Sequence, residues 1–351
     1  MRVLVTGATG FTGTHLVERL LDQGHRVVGL DTQEGLAAGH LRERGAELHL
    51  GSVADDELVD RLARGTQRIY HLAAAFRKVN LPKSAYWDVN VNGTRNVCES
   101  AQRNGVERVL YCSTCGVHGN VARPPGDESA PIAPADYYQY TKWEGERVCD
   151  EFLKQGLWVS IVRPAAIYGP GDPERFLMLY RRAASGRFVM LGKGATLYHP
   201  LYVSNLIDAM ELAIETDAAR GNAYLIADEE AVSIKDLVDQ VGRSLNVAVR
   251  FVHVPFWPVY AASVACELVY KPLPWEPPLF PRRVDWFRQN RSFDISKARR
   301  DLGYAPRVDL TQGLARTAHW YFENGYIAVA PSGAAGAAPR AAVHAGAPGE
   351  N

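Results

Sequence analysis

Three glycines at three-residue intervals, Gly7, Gly10 and Gly13, stand where a short apolar run, Val3-Leu4-Val5, gives way to a helical pattern. Their position gives them force. In Thr6-Gly7-Ala8-Thr9-Gly10-Phe11-Thr12-Gly13 the first glycine permits a tight turn, the second a close approach of backbone to pyrophosphate, and the third the packing of helix on strand. The free amides and positive dipole end at the start of such a helix favour an anion. Leu16, Val17, Leu20 and Leu21 then recur on one helical face, and Gly24 is placed to end the helix in a left-handed conformation. The unit reads strand, glycine loop, helix, strand.

The rhythm continues through the first half of the chain. Residues 3–5, 26–30, 47–50, 68–72, 108–112 and 159–162 read as strands between helical patterns, which predicts right-handed crossovers and a buried parallel sheet. The expected fold is α/β, a Rossmann-type doubly wound parallel sheet with a smaller, mostly C-terminal substrate domain. Residues 1–167 are expected to form the nucleotide-binding part, with 203–228 returning to it. Residues 168–202 and 229–327 are expected to form the substrate-binding part. The segment 328–351 is mostly alanine, glycine and proline, cannot offset its ordering entropy, and is expected to be a disordered tail.

Composition sets limits on partners. The 39 basic and 39 acidic residues cancel, leaving no excess positive field to hold nucleic acid, so small-molecule chemistry is favoured. Five irregularly spaced cysteines argue against a disulfide framework and for a reducing compartment. Met1 and Arg2 run straight into the first strand without a secretory signal, so a cytoplasmic location is expected. The apolar stretch near 252–270 is interrupted by Pro255, Pro258 and Glu267 and falls short of a spanning helix.

Asp31 ends the second strand at the distance from the glycine loop where a carboxylate accepts hydrogen bonds from the adenosine ribose. It would repel a 2′-phosphate, and Thr32, Gln33 and Glu34 offer no arginine, so the expected cofactor is NAD. Tyr138 and Lys142 lie four residues apart, on one face of a helix. A phenol with an ordinary pKa of about 10 exchanges protons poorly at neutral pH; a neighbouring ammonium favours the phenolate and makes Tyr138 a plausible general base or acid. Of Tyr137, Tyr138 and Tyr140, only Tyr138 has this spacing, and its neighbours read as packing or substrate-lining residues. Cys112 and Cys115 have a redox or metal spacing, but no second pair completes a zinc site, and no metal is expected.

Taken together, these motifs resemble the extended short-chain dehydrogenase/reductase family, with its nucleotide-sugar epimerases and dehydratases and its 3β-hydroxysteroid dehydrogenases. The likeness covers about residues 1–325. It implies that Ser52 and Val53 adjoin the adenine, where the family has Gly-Asp and this chain has Gly51-Ser52. It implies that the backbone of Leu72, Ala73 and Ala74, after His71, lies along the cofactor, that Asn90 belongs to a structural asparagine motif, and that Pro164 sits beside the nicotinamide. In Cys112-Ser113-Thr114-Cys115-Gly116-Val117-His118-Gly119 the resemblance assigns Thr114 the role of polarising the substrate oxygen, with Ser113 able to substitute or bind nearby. The acidic pair that follows this position in the sugar 4,6-dehydratases is replaced by Cys115 and Gly116, which disfavours dehydration.

Other departures concern substrate. Ala166 stands where many nucleotide-sugar enzymes carry an asparagine for the sugar diphosphate, and alanine has no hydrogen bond to give. The segment 198–205 lacks the arginine–aspartate pair common in sugar epimerases. Both lean towards a 3β-hydroxysteroid dehydrogenase-like enzyme acting on a secondary alcohol or its ketone, with a nucleotide-sugar epimerase as the alternative and a non-catalytic NAD sensor as a third reading. Between 255 and 281, Phe256, Trp257, Tyr260, Val264, Leu268 and Trp275 offer apolar area for a small domain's core, a greasy substrate or a peripheral membrane contact. The resemblance also implies a homodimer.

Overall fold

The computed structural model describes residues 1–76, 81–172, 175–271, 275 and 277–331. Its centre is a seven-stranded sheet in the order Ala223–Ile226, Val159–Pro164, Arg108–Cys112, Arg68–His71, Arg2–Thr6, Arg26–Asp31, Glu47–Leu50. Every pairing in it is parallel. Buried on both faces, such strands need continuous apolar runs, and Val3, Leu4 and Val5 are fully buried. One apolar cluster, with Leu16, Val17 and Leu20 of the first helix, lies on one side of the sheet; a second, with Val59, Leu62, Val97 and Phe152, lies on the other. The expected strands form, and the edge strand at 223–226 is added by the returning segment.

The strand order reverses between Arg2–Thr6 and Arg68–His71. At that switch point the connections leave in opposite directions and open a crevice at the carboxyl ends of the strands. The crevice is narrow where it begins. A side chain at Gly7 (φ +73°) would put its Cβ 2.9 Å from the Ala73 nitrogen and 3.0 Å from the Leu72 carbonyl carbon, so the two backbones meet there only because Gly7 has none.

A third apolar cluster builds the smaller part from Arg175–Ala184, Ile234–Ser244 and Leu310–Glu323, with Tyr168, Tyr180, Phe188 and Tyr321 among its buried members. Two-stranded pairings serve it: Arg187–Leu191 runs parallel to Arg250–Val254, and Val232–Ser233 antiparallel to Leu197–Tyr198. The loop Gly169-Pro170-Gly171 ties it to the glycine-loop helix, since a His15 ring nitrogen lies 2.8 Å from the Pro170 carbonyl. The expected disordered tail needs correction at its start: Val329 packs on the third cluster and Pro331 is buried, so apolar contact orders these few residues. Residues 332–351 of that expectation lie outside the described residues.

Helix Phe256–Tyr270 is the exception to this packing. Ser263 is its only buried residue, and Trp257 (65% exposed), Leu268 (64%) and Val269 (65%) point away from the protein. No helix among the described residues is long and apolar enough to cross a membrane.

Candidate active site

The glycine loop turns sharply at Gly7, whose φ of +73° suits glycine, and the Gly10 amide closes the turn on the Gly7 carbonyl at 3.3 Å. Gly13 must be glycine, as a Cβ there would lie 1.9 Å from the Gly7 oxygen. Gly10 is different: it is exposed, has only that same oxygen within contact range, at 3.4 Å, and caps Phe11–Asp22 with no side chain of its own. The first amides of this helix, at Phe11 and Thr12, therefore have no side-chain cap, an arrangement ready for an anion. Asp31 closes the other wall. It accepts from the Thr9 amide at 3.0 Å and the Thr32 amide at 2.8 Å, one bond to each oxygen. Each oxygen keeps a lone pair for a ribose hydroxyl.

Further along the crevice, Ser52 and Val53 sit before helix Asp56–Ala63. The Ser52 hydroxyl oxygen accepts from the Ala54 amide at 3.1 Å and keeps its proton to donate. Val53 is buried against Gly93, and its carbonyl accepts from Asn96 at 3.0 Å. Leu72, Ala73 and Ala74 are held by their backbone: the Ala73 amide donates to the Thr6 hydroxyl at 3.2 Å.

His71 and Asn90 make this frame rigid. The Thr94 hydroxyl gives its proton to the Asn90 carbonyl at 2.8 Å, so the His71 Nε2, 3.0 Å from the Thr94 hydroxyl oxygen, is the donor to that hydroxyl. His71 Nδ1 then accepts from the Thr6 hydroxyl at 2.7 Å. The ring is neutral and spent on both sides, in accord with burial and the nearby Lys142 charge pushing its pKa down to about 3. Asn90 lies in a π-helical turn, Asp88–Asn92. Its side chain accepts from the Ala75 amide at 2.8 Å and donates to the Ala75 carbonyl at 3.2 Å and the Thr141 hydroxyl at 2.9 Å. Those bonds take up its amide, so it serves the crevice by fixing loop 72–76 against the helix that carries Tyr138.

That helix is Tyr137–Lys154, capped by Asp136, whose carboxylate accepts from the Gln139 amide at 2.8 Å. Tyr138 is half-buried, its ring edge-on to Phe76 at 4.8 Å between centroids. Tyr137 packs on Tyr86, and Tyr140 on Trp87, so the two neighbouring tyrosines belong to an aromatic cluster. Lys142 is 1% exposed, and its Nζ has no hydrogen-bond partner among the described residues. It lies 4.1 Å from the centroid of the Tyr111 ring. Burial lowers its pKa to about 8, which leaves it largely charged at neutral pH. A buried ammonium with nothing to bond is costly unless a ligand completes it, and the hydroxyls of a nicotinamide ribose are suitable acceptors. The uncapped amides at Phe11 and Thr12, the Asp31 lone pairs and this ammonium all fit NAD.

Thr114 follows the strand Arg108–Cys112 and is half-buried. Its oxygen accepts from the Gly116 amide at 3.1 Å, which leaves its proton to donate. Ser113 corrects the expectation that it could substitute: it is buried, and its hydroxyl donates to Glu146 at 2.5 Å. Pro164, buried at the end of its strand, pairs in register with Ile226. Cys112 and Cys115 take part in no disulfide, and burial pushes the Cys112 thiol up to about 11, far from a reactive thiolate. The sequence reading missed Glu146, Arg163 and His118 as a group. They form a buried cluster behind Thr114, and the one available signal was that Glu146 stands four residues after Lys142, on the same helical face.

A family model described as the NAD dependent epimerase/dehydratase family matches residues 3–227. The chain is 29% identical over 323 residues to N-acetyl-alpha-D-glucosaminyl-diphospho-ditrans,octacis-undecaprenol 4-epimerase of Escherichia coli O157:H7, covering 91% of this chain and 95% of that protein. It is 31% identical over 343 residues to a 3-beta-hydroxysteroid dehydrogenase of Mycolicibacterium neoaurum, covering 91% of each. Among solved structures, a dTDP-glucose 4,6-dehydratase from Streptomyces venezuelae with NAD bound superposes with a TM-score of 0.75 at 27% identity, over 92% of this chain and 98% of that one.

Proposed function

The chain belongs to the NAD dependent epimerase/dehydratase family and is an NAD-dependent enzyme of the extended short-chain dehydrogenase/reductase type; from that premise we propose that it oxidises a secondary alcohol, or reduces the corresponding ketone, on an apolar, steroid-like molecule. The observation that carries this is the Tyr138–Lys142 pair on one helix, its lysine buried, with the Thr114 proton unspent. NAD, when bound, supplies the hydride acceptor. Tyr138 takes the proton of the substrate hydroxyl, or returns it in the reductive direction. Lys142 stabilises negative charge on the phenolic oxygen, and the Thr114 hydroxyl donates a hydrogen bond to the substrate oxygen, orienting it and supporting charge that develops there. Asp31 and the amides at Phe11 and Thr12 hold the two ends of the cofactor's adenosine diphosphate. In the same reading, residues 1–167 and 203–228 bind NAD, 168–202 and 229–327 bind substrate, and the protein is a homodimer.

A sugar epimerase uses the same proton-moving groups, and the likeness to the Escherichia coli 4-epimerase favours keeping it as a second reading. Ala166 speaks for the first: it has no side-chain donor for a sugar diphosphate. The test is a turnover screen with hydrophobic alcohols and with sugar nucleotides, following free NADH and isomer composition separately. Net NADH from an apolar alcohol supports the dehydrogenase; isomerisation with NAD retained on the protein replaces it by the epimerase.

The same proposal includes a membrane contact through about 255–281. The outward face of Phe256–Tyr270 carries Trp257, Ala261, Val264, Ala265, Leu268 and Val269, with Glu267 as the one charge on the helix. Over its 15 residues, about 22 Å at ~1.5 Å per residue, it is too short to span a hydrocarbon core of ~30 Å. A short apolar helix with tryptophan, near exposed Lys271, Arg283 and Arg288, suits the interface of an anionic bilayer.

A further inference from the structure

Behind Thr114 lies a buried ionic cluster that neither gives nor takes a proton in the proposed chemistry. Arg163 and Glu146 are both within a few per cent of complete burial. Arg163 donates from Nε to both Glu146 oxygens, at 3.0 and 3.2 Å, and from Nη2 to Oε2 at 2.6 Å. The remaining capacity of Glu146 Oε1 is filled by the Ser113 hydroxyl at 2.5 Å. Arg163 Nη1 lies 3.1 Å from His118 Nε2. A guanidinium has only protons to offer, so His118 Nε2 accepts and its proton sits on Nδ1, which donates to the Ala130 carbonyl at 3.0 Å. His118 is thus neutral, in the direction that its burial and the adjoining guanidinium push its pKa, downward.

We propose that Glu146 and Arg163 are positioning residues that clamp the turn from Ser113 to His118 at both ends and so set the Thr114 hydroxyl against the oxygen served by Tyr138. One end of the turn hangs on the carboxylate, the other on the guanidinium, and Thr114 lies between them. Glu146 also follows Tyr138 by eight residues on the same helix, so the clamp and the proton carrier share one rigid rod. A buried ion pair is a weak source of stability, because apolar side chains of similar volume often do as well. What the pair does supply here is a fixed distance between the helix and the strand Val159–Pro164, to which the start of the turn is also held by the Ser113 amide donating to the Val162 carbonyl at 2.8 Å. Misplacing a reacting group by ~1 Å can cost about 100-fold in rate.

The inference rests on the reading of Thr114 and Tyr138 as catalytic, and the experiment separates the two. Ser113→Ala, Glu146→Gln and Thr114→Val are purified with NAD present, checked for wild-type melting behaviour, and compared in kcat, KM and pH profile. Thr114→Val should lose about 100-fold in kcat, the scale of one lost donor to a developing charge. Glu146→Gln should lose roughly 10- to 100-fold and Ser113→Ala about 5-fold, both with KM held within about twofold, since neither touches substrate. Glu146→Gln should also bring the alkaline loss of activity to lower pH, because the carboxylate helps keep Lys142 charged; a merely structural defect would not move that limb. If Thr114→Val keeps wild-type kcat, the catalytic reading of Thr114 fails. If Thr114→Val is crippled while folded Ser113→Ala and Glu146→Gln keep wild-type kcat and pH profile, the clamp fails and the catalytic reading stands. Should Glu146→Gln not fold, Ser113→Ala, which leaves the ion pair whole, decides by itself.

Discussion

Lys142 and Trp257 are both misplaced by the ordinary accounting of burial, in opposite directions. Lys142 is a charge 1% exposed with no hydrogen bond for its Nζ among the described residues; Trp257 is a large apolar ring 65% exposed. Burying an unpaired ammonium and exposing a broad apolar face each cost stability, and each cost falls when the right partner arrives. The surroundings tell the two cases apart. Around Lys142 the neighbours are spent and fixed: Tyr111 donates to the Lys142 carbonyl at 3.2 Å, and His71 and Asn90 have their hydrogen bonds satisfied inside the protein. Such a frame suits one small molecule in one pose. Trp257 stands instead edge-on to Phe256 and Tyr260 on its own helix, at 5.3 and 6.0 Å between centroids, with the Arg288 guanidinium 5.9 Å from its ring, and a surface of that kind suits a partner without fixed shape.

The largest effect that would break this comparison lies at Tyr138. Tyr138→Phe should lower kcat about 1,000-fold, within the range for a lost acid–base group, while NAD affinity and melting temperature stay near wild type. Steady-state NADH formation and NAD titration decide it; unchanged turnover would remove the chemical reason for Lys142 to be where it is.

Next is Lys142 itself. Its folded pKa, about 8, lies below the ordinary value of 10.5, so the folded state without cofactor pays for the charge below pH 8 and is relieved as pH rises towards 10.5. That shift corresponds to roughly 3 kcal/mol at ~1.4 kcal/mol per unit. Lys142→Met should therefore melt higher than wild type at pH 7 without NAD, lose that advantage by about pH 10.5, and also lose it at pH 7 as NAD is added. Activity should fall by about 100-fold or more. A variant that is less stable at pH 7 in the absence of NAD would show that the ammonium was already paired.

Asp31→Ala should weaken NAD binding about 10- to 100-fold, the worth of one or two hydrogen bonds to a charged group, and narrow the preference for NAD over NADP. Isothermal titration with both nucleotides reads the outcome, and an unaltered ratio would detach Asp31 from the ribose. The smallest effect on chemistry is expected on the apolar side. Trp257→Glu with Leu268→Glu should leave turnover of a dissolved substrate within about twofold of wild type yet abolish sedimentation with anionic lipid vesicles. Vesicle binding that survives both charges, or wild-type protein that never binds, would end the membrane contact.

How much of this was legible in the sequence varies with the distance over which each feature is built. The glycine loop, the alternating strands and the Tyr138–Lys142 spacing are local patterns, and local geometry alone places them. The clamp of Ser113, His118, Glu146 and Arg163 joins residues up to fifty positions apart through polar side chains that carry no periodic signal. From sequence Ser113 looks like a spare hydroxyl beside Thr114; it is occupied because a carboxylate from another element fills the space behind it. Helix Phe256–Tyr270 was legible as apolar, but not which side would be left uncovered, since that depends on what the remainder of the chain fails to bring against it.

Asn90 has a consequence of another kind. Its one side chain binds the backbone of Ala75 and the hydroxyl of Thr141, while its own carbonyl holds Thr94. The loop at Ala75 and the helix that carries Tyr138 are thus latched by one side-chain amide, and the backbone carbonyl of the same residue ties in the start of the following helix. Opening the loop costs Asn90 the bonds that also anchor it to the Tyr138 helix, so hydrogen exchange at Ala75 and at the start of that helix is expected to rise together when Asn90 is replaced.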